Sequence, residues 1–180
     1  MAYMWSAASF AYYMINIYMK YLPGNIFTNT FASGFSELVA DIVSGMIYGR
    51  LGARLTYSGL LALSLLGGVC ILFMGESTSS VAMPIFVMLA KFGISGAFNT
   101  NYVCTVDVFP TLFIASAMGF CNFFSRALTI LAPEVAERPP PLPMALFTAL
   151  CAGGIILIQF VRTLQDQEKA TQQQKSKVSD

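Results

Sequence analysis

The chain is poor in charge and has no histidine at all. Only 11% of its 180 residues are Asp, Glu, Lys or Arg, whereas a soluble domain has about 25%. Its net charge of +1 argues against a nucleic-acid partner. There is no nucleophile–base pair, no metal-ligand spacing among the four cysteines and no glycine-rich phosphate loop. The sequence therefore predicts no enzyme, no metal or cofactor, and no ATP-driven pump.

The chain contains long apolar segments. A membrane-spanning helix needs about 20 mostly apolar residues, and six segments of this chain meet that requirement. They cover residues 2–19, 26–48, 55–74, 81–103, 111–132 and 143–161. We therefore expect an all-α integral membrane protein surrounded by lipid, with six transmembrane helices in one domain, residues 1–161, and a polar cytoplasmic tail, residues 162–180.

The basic residues predict an orientation. Six helices would place both ends of the domain on one side of the membrane. That side receives six basic residues, Arg50, Arg54, Arg162, Lys169, Lys175 and Lys177, and the other side receives two, Lys20 and Arg138. Because basic residues accumulate on the cytoplasmic side, we expect both termini in the cytoplasm.

Four charged residues fall inside the predicted spans: Glu37, Asp41, Lys91 and Arg126. Each costs about 2.5–3.5 kcal/mol at the centre of a bilayer unless it is paired or hydrated. Glu37 and Asp41 are four residues apart, so they lie on the same face of a predicted helix and form part of a polar stripe. Lys91 belongs to a second polar stripe on a different predicted helix. Two interpretations remain open: the charges are buried ion pairs that hold the bundle together, or they line a path for a solute.

Three stretches are similar to one family of transporters. They are residues 91–99, with KFGIS followed by AFN, residues 107–111, DVFPT, and residues 9–13, SFAYY. These stretches resemble the C-terminal half of the organic cation, anion and carnitine transporters of the major facilitator superfamily, known as solute carrier family 22. Arg126 and Ala132-Pro133 continue the resemblance.

The resemblance implies roles for particular residues. Tyr12 and Tyr13 would line the solute cavity, and Arg126 would contact an anionic or zwitterionic solute. The other expected substrate-binding residues are Asn16, Glu37, Asp41, Lys91 and Asn122. A cytoplasmic gate would be built from Arg50, Arg54 and Asp107. Gly49, Ala53 and Ile114 replace charged residues of the family pattern, so we expect the gate to contain fewer charges than that pattern.

The family fold has twelve helices in two halves, with the cavity between them, and the chain resembles helices seven to twelve alone. The first hypothesis is the C-terminal half of a secondary carrier for small organic ions, whether anion, zwitterion or cation. It would pair with a second six-helix half or another membrane subunit, in the plasma membrane as the resemblance implies. The alternative is a transport-inactive structural or accessory membrane subunit derived from such a carrier.

Overall fold

The computed structural model describes residues 1–21, 26–74, 82–138 and 141–160, and these residues form helices without a β-strand. The prediction of an all-α chain is therefore confirmed. The helices are α1 (Ala2–Tyr18), a short 3-10 helix (Met19–Tyr21), α2 (Ile26–Met74), α3 (Ala82–Val108), α4 (Ile114–Thr129), α5 (Ala132–Ala136) and α6 (Leu142–Ile158). The tail predicted over residues 162–180 lies outside the described residues.

Helix α2 is a hairpin of two legs that meet at Gly52. This glycine has φ 79° and ψ 176°, a backbone conformation that is essentially restricted to glycine. We name the leg before it α2a, residues 26–51, and the leg after it α2b, residues 53–74. The sequence predicted a break at residues 49–54, and the structure makes the reversal there with a single non-helical residue.

Contacts with α3 show that the two legs run in opposite directions. Along α2a, Ser33 binds Lys91 and Tyr48 binds Asp107, so α2a runs parallel to α3. Along α2b, residues 60 and 64 contact Gly93, and residue 67 contacts Ala90. The numbering on α3 thus falls as that on α2b rises, and α2b runs antiparallel to α3.

Contacts between the other legs define their directions in the same way. Trp5 donates to Thr105 and Tyr12 stacks on Phe98, so α1 is antiparallel to α3. Hydrogen bonds from Ser125 to the Trp5 carbonyl and between Ser9 and Thr129 make α4 parallel to α1. Contacts of α6 with α2b, at residue pairs 147–68, 154–61 and 159–58, make these two antiparallel. Each of the six long legs (α1, α2a, α2b, α3, α4 and α6) therefore runs opposite to the preceding one.

Close helix packing holds α2b against α3. A Cβ atom on Gly67 would lie 2.7 Å from the backbone nitrogen of Ala90, and one on Gly93 would lie 2.6 Å from that of Ser64. Only glycine permits backbones to approach this closely. Because the two backbones are so close, the Ser64 hydroxyl donates a hydrogen bond to the Ala90 carbonyl at 2.8 Å.

Two local features differ from expectation. Helix α3 continues to Val108, five residues beyond the predicted end at residue 103, because the first helix-breaking residue is Pro110. A short helix, α5, starts at Ala132 with Pro133 in its first turn, a position that proline favours.

By length and composition, one helix among the described residues could cross a membrane, the stretch Thr30–Phe73 of α2. Leu142–Ile158 is also apolar but is shorter. The reversal at Gly52 divides Thr30–Phe73 between two antiparallel legs. The ends of the bundle are thereby defined: Gly52 and Asp107 mark one end, and Lys20 marks the other.

Candidate functional site

A chain of polar side chains joins three legs at the middle of the bundle. The Tyr12 hydroxyl on α1 donates to Oε1 of Glu37 on α2a. The other carboxylate oxygen of Glu37, Oε2, lies 3.5 Å from Nζ of Lys91 on α3. Lys91 also donates to the Ser33 hydroxyl. The Lys91 side chain is 5% exposed and that of Glu37 is 31% exposed, so the ammonium is enclosed while the carboxylate retains an open edge.

A cavity of about 320 Å³ borders this chain of side chains. Its lining is Asn16, Met19, Lys20, Thr30, Ser33, Gly34, Glu37 and Lys91. The cavity therefore lies between α1, α2a and α3, and it extends toward the end of the bundle that Lys20 marks. At that end Lys20 Nζ lies 2.7 Å from Oε1 of Glu137, and the ammonium lowers the pKa of this carboxyl below its usual value.

The second tyrosine of the predicted pair faces a different leg. The Arg126 guanidinium on α4 donates to the Tyr13 hydroxyl and lies 5.3 Å from the centre of its ring. The Tyr12 and Tyr13 rings meet edge to face, with centroids 5.4 Å apart. Tyr12 thus connects α1 to α2a and Tyr13 connects it to α4. Arg126 is exposed, and the two contacts leave most of its five donors available.

Asp41 is separate from these pairs. It is exposed on α2a, and among the described residues its carboxylate makes no hydrogen bond or ion pair; only its carbonyl accepts bonds, from Ser44 and Asn99. Asp41 and Arg126 do not form an ion pair with each other within the described residues. Asn16 donates to the Tyr12 carbonyl at 3.0 Å, and Asn122 lies half-buried one turn before Arg126.

The predicted gate residues collect at the Gly52 end of the bundle. Asp107, in the last turn of α3, accepts a hydrogen bond from the Tyr48 hydroxyl at 2.6 Å. Arg50 is exposed and Arg54 is half-buried, and they flank the reversal at Gly52. The partner that the structure assigns to Asp107 is thus a tyrosine, one residue before Gly49, where the family pattern has a charged residue.

Sequence reasoning missed several contributors to the site. Ser33 is not among the predicted site residues, although it lies four residues before Glu37 and therefore on the same helical face. Lys20 enters the sequence predictions only as a basic residue between the first two predicted spans. Phe98, which stacks on Tyr12 with ring centroids 5.4 Å apart, gave no polar signal. Within the described ranges no group of three or more His, Cys, Asp or Glu side chains could hold a metal ion.

An all-helical bundle with apolar legs is typical of a polytopic membrane protein, and comparison with known proteins finds relatives among solute carriers. Solute carrier family 22 member 4 of Mus musculus is 33% identical over 72% of this chain. Organic cation/carnitine transporter 2 of Homo sapiens is 32% identical over 72%, and organic anion transporter 3 of Mus musculus is 29% identical over 89%. No family model matches the chain.

The homologues of this chain are members of solute carrier family 22, which confirms the resemblance predicted from residues 91–99 and 107–111. The chain spans only part of each of them, 23%, 23% and 30% of the three relatives above. These relatives are named as transporters rather than enzymes.

Proposed function

We propose that this chain forms one wall of a carrier that moves small organic ions across a membrane. The observation that carries the proposal is the linked set of Tyr12, Glu37 and Lys91 beside a cavity of about 320 Å³. The homologues support it, since their names include organic cations, carnitine and organic anions as transported solutes.

The proposed wall is the C-terminal half of the carrier, and all six long legs cross the membrane. The alternating directions of the legs support this arrangement, as does the position of Lys20 at one end and of Arg50 and Arg54 at the other. By the distribution of basic residues the Gly52 end faces the cytoplasm. The plasma membrane is the proposed location.

Arg126 and Asp41 are the proposed contacts for solute charge. Glu37 and Lys91 neutralise each other within the wall, whereas the Arg126 guanidinium is held by a neutral tyrosine and the Asp41 carboxylate is exposed. A solute carboxylate would pair with Arg126 through a charge-assisted bond, and a solute ammonium would pair with Asp41. A solute that binds more tightly to either the inward-open or the outward-open state would shift the carrier toward that state.

Uptake in cells that produce the chain tests the proposal. Labelled carnitine, tetramethylammonium and benzoate are supplied separately to cells that produce the wild type, Arg126→Ala or, as a control at an exposed position outside the cavity, Arg138→Ala. We expect Arg126→Ala to reduce carnitine or benzoate uptake at least tenfold at equal protein in the membrane, while Arg138→Ala stays within twofold of wild type.

A wild-type chain that raises uptake of none of the three solutes would favour the alternative, a transport-inactive accessory subunit. The specific observation behind that alternative is the exposed Arg50 beside Gly49, where the family pattern has its gate charges. In that case the polar side chains would serve only to hold the legs together.

A further inference from the structure

Lys91 is the most enclosed of the four charged residues in the middle of the legs. Its ammonium contacts the Glu37 carboxylate and the Ser33 hydroxyl, both on α2a. Asp41 and Arg126 are exposed by comparison. The resemblance implied that Lys91 binds the solute, but an enclosed ammonium that already has two partners offers little surface to a solute. Its position favours an action on neighbouring side chains instead.

Glu37 connects Lys91 to Tyr12. One carboxylate oxygen, Oε2, lies 3.5 Å from Lys91 Nζ, and the other, Oε1, accepts the hydrogen bond from the Tyr12 hydroxyl. A glutamate side chain has several rotamers of similar energy when nothing fixes it. The ion pair selects one of them, so Lys91 determines where the acceptor for Tyr12 lies.

The hydroxyl bond completes the positioning of the Tyr12 ring. This ring stacks on Phe98 with an angle of 13° between the planes and a centroid distance of 5.4 Å. Stacked rings fix each other's plane but tolerate different offsets within it. The bond to Glu37 removes that remaining freedom, because it fixes the end of the ring that carries the hydroxyl.

Tyr12 in turn contacts the residue that holds Arg126. The rings of Tyr12 and Tyr13 are almost perpendicular, at 89°, with centroids 5.4 Å apart. The Tyr13 hydroxyl accepts a hydrogen bond from Arg126, and the guanidinium carbon lies 5.3 Å from the centre of the Tyr13 ring. Within the described residues both of these contacts of Arg126 come from Tyr13, so the position of this ring sets the position of the guanidinium.

We propose that Lys91 is a positioning residue for Arg126 and does not itself bind the solute. It acts through Glu37, Tyr12 and Tyr13, which link α3 to α4 by way of α2a and α1. The inference rests on the proposed function in taking Arg126 as the contact for a solute carboxylate. Because a guanidinium pairs with a carboxylate best in a defined planar geometry, a displaced Arg126 would bind the solute less tightly.

Two other roles for Lys91 make different predictions. If Lys91 contacted the solute directly, its removal would weaken binding whether or not Tyr12 had a hydroxyl. If the ion pair only tied α2a to α3, its removal would change stability and leave Tyr13 and the solute unaffected. No hydrogen bond joins Lys91 directly to Tyr12 in the described legs. Dependence of one on the other would therefore report the contacts through Glu37.

Uptake kinetics with carnitine and benzoate separate these roles. We expect Lys91→Met and Tyr12→Phe each to raise KM about fivefold, with the maximal rate per chain in the membrane within about twofold of wild type. Lys91→Met should have no further effect on KM in the Tyr12→Phe background. Arg138→Met, which removes an exposed basic residue outside the cavity, is the matched control and should leave KM unchanged. Effects of the two variants that multiply would overturn the proposal in favour of a direct contact.

Fluorine NMR tests the same contacts without transport. A fluorotyrosine is placed at Tyr13 alone, and the full chain is studied in lipid nanodiscs. We expect Lys91→Met to displace or broaden the Tyr13 signal by more than its wild-type line width, and to have no such effect in the Tyr12→Phe background. An electric field from the lost charge would act equally in both backgrounds. A Tyr13 signal that ignores Lys91, or responds equally in both backgrounds, would refute the proposal.

A neutral variant controls for loss of folding. Lys91→Met leaves Glu37 without its partner, so Lys91→Met/Glu37→Gln is measured as well. It keeps an acceptor for the Tyr12 hydroxyl and leaves no unpaired charge, but no lysine fixes the glutamine. We expect a Tyr13 signal displaced as in Lys91→Met, in a chain that unfolds like wild type. A wild-type signal in this variant would contradict the positioning role.

The two proposals fail separately. A Tyr13 signal that responds to Lys91 only through Tyr12, in a chain that takes up no solute, would retain the positioning and remove the transport function. Solute uptake by a chain whose Tyr13 signal is indifferent to Lys91 would do the opposite.

Discussion

Replacing Lys91 by methionine removes the enclosed ammonium while keeping most of the side-chain volume. Breaking a buried ion pair on one side costs about 3–5 kcal/mol, because the remaining charge is left uncompensated. The Glu37 side chain is 31% exposed, so water can reach its carboxylate. We therefore expect Lys91→Met to lower the free energy of unfolding by about 3 kcal/mol, the lower end of that range.

The double variant Lys91→Met/Glu37→Gln separates ion pairing from packing. The glutamine keeps an oxygen for the Tyr12 hydroxyl, and no charge is left in the cluster. Because neutral replacements of a buried pair are often nearly neutral in stability, we expect the double variant within about 1 kcal/mol of wild type. The double-mutant cycle should then give a coupling of at least about 2 kcal/mol.

Unfolding by SDS in mixed micelles, followed through Trp5, measures these differences. Trp5 is the single tryptophan of the chain and is buried, with its indole nitrogen 3.0 Å from the Thr105 hydroxyl. The matched control is the cycle Arg138→Met/Glu134→Gln, whose exposed pair at 3.3 Å should show little coupling. If the effects of Lys91→Met and Glu37→Gln simply add, the pair does not hold the legs together and the reasoning is wrong.

Two further predictions concern the ends of the bundle. Gly52→Ala should destabilise the chain by about 1–3 kcal/mol, because its positive φ is strained for alanine, whereas Gly59→Ala, at an open helical position, should stabilise it slightly; SDS unfolding of both variants tests this. Lys20 lowers the pKa of the Glu137 carboxyl. The salt bridge therefore stabilises the fold at pH values above the ordinary glutamate pKa, and this stabilisation is lost as the pH falls through the lowered pKa of Glu137. Thermal unfolding of wild type and Glu137→Gln should therefore differ at pH 7 and converge toward pH 3, and curves that stay parallel would contradict the linkage.

Helix content and local breaks could be predicted from the sequence, because apolar runs and glycine or proline residues act within a few positions. The reversal at Gly52 lies inside the predicted break at residues 49–54, and the all-helical class follows from the apolar runs. The partners of the charges could not be predicted. Four charges of two signs allow several pairings, and which one forms depends on the neighbours of each leg. The structure places α2a beside α3, so Glu37 meets Lys91, whereas Arg126 on α4 is left to Tyr13.

The same limit applies to the ends of helices. Asp107 lies between the fourth and fifth predicted spans, yet the structure places it in the last turn of α3, where it accepts a hydrogen bond from Tyr48. Phe98 could be identified only once the antiparallel arrangement of α1 and α3 had placed it against Tyr12.

The balance of charge in the wall has an electrical consequence. Glu37, Asp41, Lys91 and Arg126, the four charged residues in the middle of the described legs, sum to zero. A transmembrane voltage acts on net charge, at about 2.3 kcal/mol per elementary charge for 100 mV. If the chain moves as the proposed wall of a carrier, its neutral set of charges would contribute no current of its own. Any voltage dependence of a transport cycle would report the charge of the solute and of any ion that accompanies it.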